Sequence, residues 1–390
     1  MKESVAIMDI GSSSIVTLVG ENGVNNTFNI LGRGEVSYAG FQNAEFLEPE
    51  NLKFAIASSI SYAELQAESK ITEIYLGIPG EFCSCVTKTI NLTFPKHKKI
   101  SRFDVENIYK IGRNFEETDV SVINNSVVYF ELDESKRVID PIGLKAKKIA
   151  GNISYILSMN SYLKMMKQIF SELKITILGF ISSVLAECLY LFEPSVRDKY
   201  VLLVDSGYIT TNVALARGNA LLSLNSFSMG GGYITSDLSQ CLKITFNEAE
   251  RLKHKVVLAW DAKPTDTYEI EGDEYLLTYS AKATNEIVTD RVEMICEYIQ
   301  KCLDLCVYDL PDFLPLYITG GGLSFIKGVS HIISKKLKRQ VKIVTPQSLN
   351  QLKPYDSSEE GLLNLALGYG DDLNEILVKV KWGEKWKLIT

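Results

Sequence analysis

Two stretches of this sequence repeat one order of chemistry-bearing residues. In residues 4–20, SVAIMDIGSSSIVTLVG, an apolar run ends at Asp9, a tight break follows at Gly11, Ser12, Ser13 and Ser14, and a second apolar run begins. In residues 200–218, YVLLVDSGYITTNVALARG, Asp205 and Gly207 repeat Asp9 and Gly11, and Thr210 and Thr211 stand where serines stood. A turn of glycine and small hydroxyl residues offers backbone N–H groups and hydroxyls on one concave side, which is what a phosphate group needs. A carboxylate at the strand end, Asp9 or Asp205, suits a hydrated Mg²⁺ better than the phosphate itself. A third break, Gly320-Gly321-Gly322, follows the apolar run Leu316–Thr319 and is expected to open a helix. Two hairpins from two halves could therefore face one nucleotide, with the third loop closing over its base or sugar.

The elements that must position these turns read as a layered α/β chain. At 390 residues the length suggests about two domains. The 46% apolar and 23% charged composition is that of an ordinary globular protein, and a net charge of −7 argues against nucleic acid as a partner. The basic run Lys96-His97-Lys98-Lys99 reads as a solvated loop. The seven cysteines, an odd number, favour reduced thiols packed in cores, and Asp9 interrupts the first apolar run too early for a secretory leader.

Apolar spacing predicts helices over 49–68, 163–173, 182–192 and 285–308, and strands over 73–78, 175–181, 220–227 and 341–344. Between residues 84 and 160 the character changes to alternating strands around a helix opened by Ser101-x-x-Asp104, which reads as an inserted α+β unit. Thr245-x-x-Glu248 opens another helix, on which Glu250 and Lys253 share a face, an exposed ion pair in the plainest reading. The end of the chain alternates Val378, Val380 and Trp382 with lysines and also carries Trp386. Tryptophan with lysine suits a membrane interface, and a final strand packed on the body suits the same pattern.

Asp-x-Gly hairpins in both halves with a later triple-glycine loop resemble the actin-like ATPase superfamily. The unit inserted after Ile78-Pro79-Gly80 resembles that of the bacterial division protein family FtsA. The stretches Asp140-Pro141-Ile142-Gly143-Leu144, Ser228-Met229-Gly230-Gly231-Gly232, Glu248-Ala249-Glu250-Arg251-Leu252-Lys253 and Ile318-Thr319-Gly320-Gly321-Gly322 agree with it. The resemblance implies a duplicated, ribonuclease H-like two-lobe α/β ATPase fold. Its first lobe would span 1–83 and 161–196, closed by a C-terminal helix at about 357–390. The insert would span 84–160, and the second lobe 197–356 with a distal subdomain at about 233–310.

It also implies ATP with Mg²⁺ in the cleft. Asp9, Gly11, Ser12, Ser13 and Ser14 would form the first phosphate segment, Asp205, Gly207, Thr210 and Thr211 the second. Asp9 and Asp205 would hold the metal through water. Gly231, Glu250, Lys253, Gly320, Gly321 and Gly322 would lie toward the nucleoside. The partners implied are the C-terminal peptide of FtsZ, at the far tip of the second lobe near Arg291, and further copies of the chain in a filament. The place implied is the cytoplasm and the inner membrane face at midcell, with Trp382 and Trp386 as the membrane contact. The enzyme reading is at most a weak ATPase.

The sequence departs from the family at Tyr208 and Ile209, where the second phosphate segment usually has glycines, and in its brief tail broken by Gly383. Side chains at 208 and 209 can keep the backbone from a phosphate. A PilM-like scaffold of type IV pilus assembly tolerates such residues and is the alternative. An actin-fold small-molecule kinase is a second, and it would need an acceptor pocket and a catalytic carboxylate or arginine in the cleft. No residue stands out as a base for a hydrolytic water.

Overall fold

The computed structural model describes residues 4–24, 27–39, 41–43, 45–116, 118–133, 136–272, 276–346 and 356–368. Two five-stranded sheets within it have one topology. In the first, Val5–Ile10, Ser14–Asn22 and Phe28–Ser37 form an antiparallel meander, and Glu73–Ile78 and then Thr176–Ser182 add in parallel on the other side of the first strand. In the second, Val201–Ser206, Thr211–Arg217 and Ala220–Phe227 form the meander, and Leu316–Thr319 and Val341–Ile343 add in parallel. This is the duplicated two-lobe α/β architecture of the actin-like fold. The β-branched and leucine-rich central strands are buried on both faces, as parallel sheets covered by helices require.

Helix Pro49–Ala67 lies unusually close to the first meander. A Cβ on Gly34 would overlap the Ser59 carbonyl and one on Gly32 the Ala63 carbonyl, so only glycine permits this approach. The buried Thr17 and Ser59 hydroxyls bond across the same interface at 2.7 Å. Helix Ser357–Ala366 sends Leu362, Leu363 and Leu365 into the core of the first lobe.

Between the two halves of the first lobe, strands Cys83–Lys99, Lys145–Met159, Val120–Leu132 and Lys136–Val138 form a separate four-stranded sheet. Helix Arg102–Gly112 covers it, opened by a capping box in which Ser101 and Asp104 satisfy each other's backbone N–H. The strands run longer than apolar alternation predicts. Lys96-His97-Lys98-Lys99 is a strand end, not a loop, because Cys83–Lys99 is an edge strand whose outer side can carry charge and Pro95. Lys98 pairs there with Asp104 at 2.8 Å.

Two further expectations are corrected. The long helix is Ala281–Asp304, starting earlier than its apolar spacing because Ser280 caps it through the Ala283 N–H. Gly320 to Gly322 does not open a helix: turns continue to Gly328, and the helix is Val329–Leu337.

Replacing Gly34 with alanine should force the helix off the meander and cost about 1–3 kcal/mol, the usual range for overpacking. Urea unfolding of Gly34→Ala tests this; an unchanged midpoint would mean that the helix can slide without loss.

The crevice between the lobes as a candidate nucleotide site

The two Asp-x-Gly turns are built alike. Asp9 pairs across its hairpin with Val16 and Asp205 with Asn212, at the same register position. Each turn is closed by the same bond: Gly11 N–H to the Ser14 carbonyl at 2.9 Å, and Gly207 N–H to the Thr210 carbonyl at 2.8 Å. The turns also meet. The Ile209 N–H donates to Ser12 Oγ at 3.1 Å from one lobe to the other, and the Ile209 side chain packs on the apolar core that the two lobes share. Tyr38 braces the first turn from behind, its hydroxyl donating to the Gly11 carbonyl at 2.8 Å and its N–H to the Ser13 carbonyl at 3.0 Å.

The glycine loops of the second lobe close on its turn. Gly231 N–H donates to the Gly207 carbonyl at 3.0 Å, Gly232 N–H to the Tyr208 carbonyl at 2.7 Å, and Gly322 N–H to the Ser206 carbonyl at 2.5 Å. Gly320 has φ +84 and lies directly over the Asp205 carboxylate, where a Cβ would overlap Oδ1. Gly321 is half-buried in the same run of turns. Thr211 is buried, its hydroxyl spent on the Met229 carbonyl at 2.7 Å, and Thr210 is buried beside it. Ser13 and Ser14 are half-buried in the first turn.

Behind the turns lie three buried carboxyl groups. Asp9 accepts from Ser183 Oγ at 2.9 Å, and Asp205 accepts from the Asn212 side-chain amide at 3.0 Å. Glu187, on helix Ser183–Leu191, accepts from Ser357 Oγ at 2.5 Å. Burial raises all three above the ordinary carboxylate range, Asp205 to about 6, and the charge of Asp9 raises Asp205 and Glu187 further. A dication near Asp9 and Asp205 would reverse those shifts. Among the described residues no cluster of three or more histidine, cysteine or acidic groups could hold a metal ion by itself. The donor set suits a metal that brings its own water and phosphate ligands.

Lys253 is not the exposed half of a surface pair. It is 1% exposed and donates to the Gly231 carbonyl at 3.1 Å, Thr235 Oγ1 at 2.9 Å and Glu250 Oε2 at 2.9 Å. Glu250 also accepts from Thr235 at 2.5 Å. These groups line a corner at the start of helix Gly231–Leu242. The Tyr208 ring reaches into that corner. Arg291 stands midway along its helix and forms a two-pronged pair with Asp237, Nε–Oδ2 2.5 Å and Nη2–Oδ1 2.8 Å, with the Tyr233 ring beside it. Trp382 and Trp386 lie outside the described residues.

Sequence reading missed four side chains that the fold brings here. Ser183, Glu187 and Tyr38 are named above. Glu81 crosses between the lobes to accept from Ser228 Oγ at 3.0 Å, and burial pushes its carboxyl up to about 7. A carboxyl of that acidity can act as a base near neutral pH. The only local signal for it is its place after Pro79-Gly80.

Two equivalent turns facing each other across two lobes of one topology define the actin-like fold, and solved structures agree. The PilM–PilN type IV pilus biogenesis complex is similar over 94% of this chain and 99% of that one, with a TM-score of 0.63 at 13% identity. MreB5 of Spiroplasma citri bound to ADP is similar over 92% and 95%, with a TM-score of 0.54 at 11% identity. Both show the fold. The family model "Cell division protein FtsA" matches residues 202–363. FtsA of Staphylococcus epidermidis is 23% identical over 97% of this chain and 82% of its own length. The chain is thus similar to the FtsA cell-division proteins, through the family model over residues 202–363 and through weakly identical relatives over most of its length, on an actin-like fold.

Asp205 supplies a pH test. Its carboxyl is raised from 3.8 to about 6, so between those values the folded state binds more protons than the unfolded one. Stability from this group therefore falls as pH rises through about 4 to 6 and stays reduced above. Asp205→Asn should be more stable than the wild type at pH 7.5, on the order of 1–3 kcal/mol, and the advantage should vanish below about pH 4. Thermal melts of both proteins across that window check it.

Proposed function

We propose that this protein is an ATP-binding, actin-like scaffold of cell division that self-associates and links the FtsZ ring to the cytoplasmic membrane. The observation that carries the reading is the meeting of two equivalent Asp-x-Gly turns at Ser12 and Ile209, in a chain whose second lobe matches the FtsA family model. The domain limits given above belong to the same reading.

In it, Ser12, Ser13 and Ser14 hold the phosphates from one side, and Gly207, Thr210 and the turn backbone from the other. Asp9 and Asp205 orient the water shell of Mg²⁺. Gly231, Glu250, Lys253 and the 320–322 loop border the nucleoside. A bound triphosphate supplies a ligand that touches both lobes at once, and the chain's part is to turn that contact into a preferred lobe arrangement. MreB5 of Spiroplasma citri, which shares this fold, is bound to ADP, and that supports a nucleotide as the ligand. The likeness to PilM rests on fold and adds no argument for pilus assembly. No helix among the described residues is long and apolar enough to cross a membrane. Membrane contact is assigned to the tail carrying Trp382 and Trp386.

Two measurements test the reading. Mg·ATP should raise the melting temperature by a few degrees, since a ligand at about 100 times its Kd stabilises the native state by about 2.7 kcal/mol. No shift at millimolar nucleotide would remove ATP from the reading. Immobilised FtsZ C-terminal peptide should retain the protein. Arg291 is already paired with Asp237, so its part is read from two variants: Arg291→Met should weaken retention, and Asp237→Asn, which frees the guanidinium, should not. Equal retention of Arg291→Met and wild type would move the peptide site elsewhere.

A further inference from the structure

The two residues that replace the usual glycines have separate tasks. Ile209 bonds the first lobe through its N–H on Ser12, and its side chain packs on the apolar core shared by the two lobes. Tyr208 turns the other way. Its ring lies over Gly232, so close that a Cβ there would sit 2.8–3.0 Å from ring atoms. Lys253 Nζ stands 5.3 Å from the ring centroid, within cation–π range. The Thr235 side chain and the Glu250 carboxylate lie near the phenol, and the Tyr208 carbonyl accepts from Gly232 N–H at 2.7 Å.

The ring thus stands among Gly232, Thr235, Glu250 and Lys253. Glu250 and Lys253 are the groups that border the nucleoside in the reading above. A flat ring with a hydroxyl at one end, set beside an ammonium and a threonine, has the size and polarity of part of a sugar or base. We propose that Tyr208 is a built-in occupant of the nucleoside end of the crevice, and that a nucleotide must displace its ring to bind. The proposal rests on the reading of the crevice as a nucleotide site. It deepens that reading by naming the residue that sets affinity for the nucleoside part of the ligand.

A site open only when its own side chain has left binds more weakly by the fraction of time it is open. Removing the ring removes that handicap. Calorimetric titration of the full chain with Mg·ATP and, separately, with Mg·tripolyphosphate reads this directly. Tyr208→Gly should bind Mg·ATP at least about tenfold tighter than the wild type. Tyr208→Phe, which keeps the ring, should stay within about twofold. Tripolyphosphate, which has no nucleoside, should bind all three alike.

Equal Mg·ATP affinity in wild type and Tyr208→Gly overturns the proposal and leaves the nucleotide reading standing. An equal gain for tripolyphosphate overturns the placement of the ring at the nucleoside end. Failure of all three proteins to bind Mg·ATP withdraws the nucleotide reading, and the proposal with it. If the glycine variant does not fold, a fluorotyrosine at position 208 of the otherwise wild-type chain gives a second readout. Its ¹⁹F line should move on saturation with Mg·ATP and stay put with tripolyphosphate. An unmoved line at saturating Mg·ATP overturns the proposal.

Discussion

The architecture turns on one contact between chain segments nearly two hundred positions apart: the Ile209 N–H on the Ser12 hydroxyl. It exists because each lobe ends its central hairpin in a tight turn at the same register, and because the lobes face each other. A hydrogen bond of this kind contributes about 1 kcal/mol net. It is too weak to hold two lobes alone. Its weight comes from the company it keeps, since Ile209 adds apolar packing and Glu81 reaches across to Ser228. The lobes are also joined by apolar packing, since Val201, Leu203, Ala214, Ala216, Leu221 and Leu224 of the second lobe belong to the same buried core as the first-lobe strands, so the polar contact fixes how the two turns face each other rather than holding the lobes together.

Behind that joint the chain carries a cost. Asp9, Asp205 and Glu187 are carboxyl groups drawn out of water into one region, and burial and mutual repulsion favour their neutral forms. Ser183, Asn212 and Ser357 each supply a donor, which lowers the penalty without cancelling it. An apolar replacement would fold more easily. Buried acids of this kind are common where function and stability part company, and on the proposed reading a cation and a phosphate would offset them here.

Much of this was legible in the residues, and what was not has a physical reason. The hairpins could be read because Asp-x-Gly with hydroxyl residues breaks β-alternation in a way no helix does. The capping boxes at Ser101 and Thr245 could be read because both partners lie within one turn. Ser183 beside Asp9 could not, because they are 174 positions apart and only the sheet order joins them. Lys253 reads as surface by charge and spacing, and its burial depends on a helix packing over the Gly231 carbonyl. The basic run at Lys96 reads as a loop because charge and proline mark loops in general, whereas an edge strand tolerates both. The direction of the Tyr208 ring depends on which neighbour is glycine, and Gly232 lies on a different element.

Packing by itself accounts for several glycines around the second turn. Gly231 and Gly322 face each other so closely that a Cβ on Gly231 would lie 2.7 Å from the Gly322 backbone, and Gly230 abuts the carbonyls of the second turn. Backbone packing alone therefore demands glycine there, with or without a ligand. The same holds for Gly320 over Asp205. A glycine-rich signature at these places testifies to loops stacked on a turn, and its weight as a sign of phosphate binding is correspondingly small. The residues that packing does not dictate speak more directly. Serine is not required to close the first turn, which is held by backbone bonds. An ammonium at position 253 is not required to fill a core. On the proposed reading, a chain that carries both, with the Tyr208 ring beside the ammonium, has the polar groups of a ligand site and supplies part of the occupant from its own sequence.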